Sequence, residues 1–382
     1  MIGKVARAIA EDFAEGGRMT AKALKALWQE LGDLGQDPAL NRQGVVVASA
    51  VVLATIVALF LEMEAPWWAA ISAFMSMMAT GAGSVRRGLL RLTGTIAGAL
   101  VGFILGRWLP YDHVALCLFL GGMTMLGVVA MQVSPHGLAW LFLAITSIMV
   151  LLSGLNDPLL IVPTAYYRVF DVAIGVFAAI LMANLFQDWH ADRPPAMPGW
   201  RHLLGAQWPA LLHGARAGIS VVIVLIVWVF LDLPQVAEMT ISIAVVMSAP
   251  VITYGGLGTR HAVAERSLHR FIGCLIGGAL ALVLLGLDVT SFVWWLGLIA
   301  AGVWVGTYIQ LGKHGVGYLG TQSAFVYVIT LIQGPTPPTS VMPGIDRFAG
   351  IAGGLGILLL VSLLLWPSDE EDREAISETR RA

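Results

Sequence analysis

Residues 87–98 read Arg-Gly-Leu-Leu-Arg-Leu-Thr-Gly-Thr-Ile-Ala-Gly, and residues 266–277 read Arg-Ser-Leu-His-Arg-Phe-Ile-Gly-Cys-Leu-Ile-Gly. Arg87, Arg91, Gly94 and Gly98 of the first stretch recur as Arg266, Arg270, Gly273 and Gly277 of the second, always 179 residues on. Further along, Arg168 and Gly175 recur as Arg347 and Gly354 at the same offset. Glycine coincidences are cheap in a chain with 43 glycines, but three arginines at one offset among 22 basic residues are not. A second pattern, Gln-x-x-x-His-Gly, stands at 132–137 and again at 310–315. An internal duplication is the economical reading, and a repeat of this length settles the architecture before any single motif does.

The composition says what the duplicated unit is. Of 382 residues, 58% are hydrophobic and 12% charged, where soluble chains carry about 25% charged residues. That excludes a soluble enzyme, a nucleic-acid binder and a disordered scaffold. Each helical crossing needs about 20 apolar residues, and the chain offers twelve such segments, six in each half. They include 66–83 and 89–109 in the first half, and 236–254 and 315–333 in the second. The fold class expected is an all-α polytopic membrane protein of about 12 transmembrane helices arranged as two six-helix repeats. Six is even, so both units enter and leave on one side and are parallel repeats related by an axis along the membrane normal. The corresponding divisions are an N-terminal amphipathic segment (1–43), a first repeat (44–187), a linker (188–213), a second repeat (214–367) and a charged tail (368–382). In the first segment Leu24, Leu27, Trp28 and Leu31 recur at helical spacing, as expected of a helix lying on the membrane face or against the protein. No apolar signal-peptide region is visible there.

Charge placement orients the chain. With the N-terminus inside, 19 of 22 basic residues and 15 of 24 acidic residues fall on the cytoplasmic side. The positive-inside rule then puts both termini in the cytoplasm of a multi-pass protein in a bacterial inner membrane. Only Arg107, Arg168 and Arg347 fall in the outer half.

Ionisable groups inside a bilayer are costly and mark function. Arg91 and Arg270, about one turn inside their helices, are either receptors for an anion, which guanidinium matches bidentately, or topology anchors that snorkel to headgroups. Arg86, Arg87 and Arg266 read as anchors. Arg168 and Arg347 are the stronger anion-site candidates. Asp171, three residues after Arg168, is the deepest acid. It is a proton-coupling candidate or a structural i, i+3 partner of Arg168, the residues favouring the pair. Glu238 is a second proton-coupling candidate, expected at the outer rim. Gly94, Gly98, Gly102 and Gly106, with Gly273 and Gly277, form stripes for close helix packing. His136 and His314 read as polar helix starts. His261 and His269 have no neighbours at ligand spacing, so no metal is expected. The two cysteines, Cys117 and Cys274, form no framework. Neither a phosphate-binding loop nor a catalytic triad is present, so no cofactor and no enzymatic activity are expected.

The succession Glu62, Pro66-Trp67-Trp68, helix, basic loop, then R-x-x-G-x-x-x-G resembles the fusaric acid resistance protein-like family, which includes the aromatic acid exporters. Arg168 followed by Gly175 is similar to its pattern too. In the second half Asp232-Leu233-Pro234 is followed by no Trp. The resemblance implies proton-driven efflux of small organic, above all aromatic, acids or toxic compounds, and in some members a periplasmic adaptor protein. Larger members carry a sizeable cytoplasmic domain where this chain has 26 linker residues. Other readings of the same arginines are a passive anion channel and a non-transporting membrane scaffold. The partners to expect are membrane lipid and a small organic anion; a homo-oligomer stays open and nucleic acid is excluded.

Overall fold

The computed structural model describes residues 2–189, 197–205, 207–231, 235–249, 260–287, 291–334, 340 and 342–365, with side chains from residue 16 onward except at 156, 202, 260, 261, 343, 363 and 365. The charged tail and the proline-bearing middle of the linker lie outside the described residues. Among those described there are thirteen α-helices and no strand: α1 (Ile2–Gly32), α2 (Pro38–Phe60), α3 (Pro66–Ser76), α4 (Gly81–Leu105), α5 (His113–Val133), α6 (Gly137–Asn156), α7 (Ile161–Phe186), α8 (Trp208–Leu231), α9 (Val236–Met247), α10 (Arg260–Leu285), α11 (Phe292–Leu311), α12 (Gly317–Leu331) and α13 (Met342–Leu365). Helix starts follow local chemistry. Asp37 accepts from the Ala39 and Leu40 N–H groups ahead of α2, with Pro38 at the first position. Asp112 does the same for Val114 and Ala115 of α5. Such caps contribute about 1 kcal/mol each by satisfying orphan donors.

Among the described residues nine helices are long and apolar enough to cross a membrane: α2, α4 to α8, α10, α11 and α13. Three of the twelve expected spans are short instead: α3, α9 and α12 have 11, 12 and 15 residues. At about 1.5 Å per residue they reach about 16, 18 and 22 Å, short of the roughly 30 Å hydrocarbon thickness. The stretch 66–83 therefore is not one span. The chain leaves α3 at Met77 in an extended conformation, and the Met78 N–H donates to Ser84 Oγ at 2.8 Å. Thr80 then caps α4 by accepting from Gly83 N–H at 3.2 Å. Residues 77–80 are Met-Met-Ala-Thr, so hydropathy runs on through a break that backbone hydrogen bonding decides. In the same way α4 begins at Gly81 rather than 89, because Arg86 and Arg87 sit inside the helix; Arg86 Nη2 donates to the Pro135 carbonyl at 2.6 Å.

The helices interlock across the two halves. The α4 helix packs on α6 and α7, and α10 on α12 and α13; α3 lies on α7, and α9 on α13. The opening helix of each half crosses over, α2 packing on α11 and α8 on α5. Gly44 of α2 faces the Trp304 ring of α11, and Gly214 of α8 faces Val129 and Met125 of α5. The stripe on α4 turns toward α6: a Cβ on Gly94 would meet the Ala139 carbonyl, on Gly98 the Leu143 carbonyl at 2.5 Å, and on Gly102 the Val150 side chain at 2.6 Å. On α10, Gly273 and Gly277 meet the Leu319 and Ser323 carbonyls of α12. Gly106 stands at the end of α4, against Ile161 of α7. Such contacts let backbones approach to where dispersion and Cα–H contacts hold them in the absence of a hydrophobic drive.

The α1 helix uses two faces. Ala23 and Leu27 are buried with Ile272, Ile309, Val316 and Leu319, while Leu24, Trp28 and Leu31 stay exposed. Its end is tied to the α11–α12 turn. The His314 N–H donates to Glu30 Oε1 at 2.6 Å, and Asp33 Oδ2 lies 3.1 Å from both Lys313 Nζ and His314 Nε2.

Candidate functional site

The four arginines converge on the two short helices. Because α4 begins at Gly81 and α10 at Arg260, Arg91 and Arg270 lie ten residues in, about 15 Å along each axis rather than one turn. Arg91 Nε donates to Ser72 Oγ of α3 at 3.2 Å, and its guanidinium lies 4.1 Å from the Phe142 ring centroid of α6. Arg270 Nη2 donates to Ser242 Oγ of α9 at 3.1 Å, and Nη1 donates to Gln322 Oε1 of α12 at 2.5 Å. Both arginines are buried, 3% and 2% exposed.

One turn along the same short helices stand the other two. Arg168 of α7 lies 3.7 Å from the Trp68 ring centroid, and Arg347 of α13 lies 4.8 Å from the Trp67 ring. Arg347 Nε also sits 4.0 Å from Glu238 Oε1 of α9. Residues 68 and 72, like 238 and 242, are four apart and share one helix face. An inner and an outer arginine pair, separate in the sequence reading, thus form a single layer across α3 and α9.

Glycines set this layer. Gly175 lies seven residues, two turns, after Arg168 and abuts the Ala69 carbonyl, with Ser72 Cβ at 2.6 Å from where a Cβ would stand. Gly354 lies seven after Arg347 and abuts the Met239 carbonyl at 2.5 Å. Ala69 therefore matches Met239, and Ser72 matches Ser242, both at an offset of 170 residues. By the same offset, Trp68 matches Glu238. The first turn of α9 is then the counterpart of the tryptophan pair, and it carries a carboxylate where α3 carries an indole; Asp232-Leu233-Pro234 lies outside the described residues. The 179-residue offset does not bring out this match, because more residues stand between α9 and α10 than between α3 and α4, which shifts the offset to 170.

The carboxylates take unequal places. Asp171 is fully buried, and neither of its oxygens has a hydrogen-bond partner; the same holds for Arg168 Nε and Nη1. Arg168 and Asp171 act on each other electrostatically, yet no ion pair within 4.0 Å joins them, so the i, i+3 pair favoured from sequence is not closed. Glu238 is largely buried within the protein. Its side chain is 12% exposed, wedged against Arg347, and its charge reaches Arg168 as well. Cation–π contacts to an indole face are worth about 2 kcal/mol when desolvated, which offsets part of the cost of burying guanidinium without a carboxylate.

His136 and His314 stay apart from this layer. His136 is exposed at the start of α6, and His314 binds α1. Beside it, hydrogen bonds from His314 first and Lys313 second hold the Asp33 carboxyl below its ordinary range. Among the described residues no group of three His, Cys, Asp or Glu side chains could hold a metal. Ser72, Ser242, Gln322 and Phe142 were not singled out from sequence, since buried serines and glutamines at helical spacing carry no signal until the partner arginine is placed.

Residues 53–182, from α2 through α7, match the model of the fusaric acid resistance protein-like family. The chain is also similar to proteins described as p-hydroxybenzoic acid efflux pump subunit AaeB. The relative from Enterobacter cloacae subsp. cloacae is 31% identical over 160 residues, covering 38% of this chain and 24% of the relative. That from Escherichia coli strain K12 is 26% identical over 157 residues, with the same coverage. The match thus spans about a quarter of the length of these relatives. No solved structure matches. The matched stretch contains Trp67, Trp68, Ser72, Arg91, Arg168 and Asp171, and over residues 53–182 the chain is similar to the fusaric acid resistance protein-like family.

Proposed function

We propose that the chain is a multi-pass inner-membrane secondary transporter that exports small organic acids, aromatic ones foremost, with uptake of protons as the driving exchange. In this reading the membrane part is two parallel six-helix repeats, three of whose twelve members are short, with both termini cytoplasmic. The matched helix contacts, α4 on α6 with α10 on α12 and α2 on α11 with α8 on α5, support the repeat. Short helices that end inside the bilayer at a charged layer are a recurring way to build a transport site.

The observation that carries the function is Arg168 on the Trp68 face with Nε and Nη1 unpartnered. A guanidinium edge supplies donors in the geometry of a carboxylate, and the tryptophan pair supplies a flat apolar surface for the ring behind it. Arg91, Arg270 and Arg347 line the same layer. Asp171, buried and unpartnered, is the preferred proton-coupling group, with Glu238 the alternative. The naming of the relatives as pump subunits supports efflux, and supports a periplasmic adaptor protein as a further partner.

The test is transport of benzoate into sealed proteoliposomes under an imposed pH gradient. Uphill accumulation that is lost in Arg168→Ala and in Arg347→Ala is the expected result. Unchanged accumulation in both variants would sink the anion-site reading. Flux that only runs downhill would make the chain a channel, and no flux at all a scaffold.

A further inference from the structure

The tryptophan-for-glutamate exchange across the two halves makes the site asymmetric. Arg168 and Arg347 occupy matching places, each two turns ahead of a glycine that abuts a short helix, at Ala69 or at Met239. The residue one position before that contact is Trp68 in one half and Glu238 in the other. Arg168 therefore faces an indole and keeps two nitrogens without partners. Arg347 also lies over an indole, Trp67 at 4.8 Å, but has in addition a carboxylate at 4.0 Å, from a side chain only 12% exposed. Gly350 leaves room for Glu238 to approach α13 closely, since a Cβ there would stand 3.0 Å from Glu238 Cβ. The other two arginines already donate to neighbouring side chains, Arg91 through Nε to Ser72 and Arg270 through both terminal nitrogens to Ser242 and Gln322, with Arg270 Nε left without a partner.

Resting on the reading of this layer as an anion site, we propose that Glu238 is a built-in carboxylate ligand of Arg347, so that the chain offers one open receptor, Arg168, to a small monocarboxylate. A glutamate carboxylate and a substrate carboxylate are the same chemical group to a guanidinium, and both cannot occupy one guanidinium edge. The carboxylate that Arg347 would otherwise take from solution is supplied by the chain. The second half would then contribute Trp67's neighbour and a fixed counter-charge, while the first half does the binding. Asp171 does not play the same part toward Arg168, because its oxygens make no hydrogen bond and no ion pair with it.

The experiment is equilibrium dialysis of radiolabelled benzoate against the full chain in lipid nanodiscs, counting molecules bound per chain. Wild type is expected to bind one and Arg168→Ala none. Glu238→Ala is expected to bind two, and Arg168→Ala combined with Glu238→Ala to bind one, now at Arg347. Glu238→Gln, nearly isosteric, guards against misfolding and is also expected to bind two, the second more weakly. If both Glu238 variants bind one while Arg168→Ala binds none, the built-in ligand is refuted and the anion site stands. If Arg168→Ala binds as wild type does, the assignment of the open receptor is refuted. Should neither wild type nor the Glu238 variants bind benzoate, the anion site falls and the inference with it.

Discussion

A methyl group added at Gly175 tests whether the close seating of α7 on α3 builds the arginine layer. An ideal Cβ there falls against the Ala69 carbonyl, 2.6 Å from Ser72 Cβ and 2.8 Å from the Ala73 nitrogen, where ordinary contact begins at 3.4 Å. Two of the three obstacles are backbone, so no rotamer change relieves them. The helices must part by about 0.8 Å or more, the shortfall at Ser72. Overpacking of this kind costs about 1–3 kcal/mol, a factor of about 5–150 in the folding equilibrium. Gly356 is the control: it lies in α13 with nothing within 4 Å of an added Cβ. There alanine relieves the backbone entropy of glycine, a gain of about 0.5–1 kcal/mol. Reversible unfolding of the purified chain in mixed micelles of dodecyl maltoside and dodecyl sulfate gives both numbers. Gly175→Ala should unfold at lower dodecyl sulfate than wild type and Gly356→Ala at equal or higher. Benzoate binding should fall in Gly175→Ala alone, since Trp68 and Ser72 ride on the displaced helix. If the two variants unfold together, the packing argument for the layer is wrong.

Two further perturbations address the arginine supports and α1. Gln322→Ala removes the acceptor of Arg270 Nη1 and leaves a buried charged donor without its partner, which costs about 1–3 kcal/mol; the same unfolding assay should show that loss, and a negligible one when Arg270→Met is already present. The tie between α1 and the α11–α12 turn has a defined pH window. Asp33 is held below its ordinary value of 3.8, by His314 chiefly and by Lys313, so the contact contributes fully above that value and is lost as pH falls through the lowered one. Hydrogen-exchange protection of residues 30–34, corrected for intrinsic rate, should hold from neutrality to pH 4 and drop below, and Asp33→Asn should abolish the drop. A transition centred at pH 5 or above would contradict this origin.

How far the fold could be read in advance depended on which force decides each feature. Long runs of apolar side chains bury in lipid whatever their neighbours do, so most spans were legible, as was the amphipathic α1 from Leu24, Leu27, Trp28 and Leu31. The break after Ser76 was not, because Met77, Met78 and Ala79 are as apolar as a helix interior and only capping and backbone hydrogen bonds stop the helix; the end of α9 at Met247 had a signal in Pro250, which cannot continue a helix, and apolar content alone passed over it. The depth of Arg91 was misjudged for the converse reason. Charge was taken to mark a helix end, whereas α4 runs ten residues ahead of it with Arg86 and Arg87 inside.

Composition and the 179-residue echo by themselves determined a helical membrane protein with a duplicated arginine pattern, since burial of apolar area and the cost of charge in lipid act residue by residue. Only the tertiary structure decided that the four arginines share one layer, that Asp171 closes no ion pair with Arg168, and that Glu238 stands where Trp68 stands in the other half. Those facts depend on where α3 and α9 are seated by Gly175 and Gly354, and a contact between helices distant in the chain has no periodicity for a sequence to display.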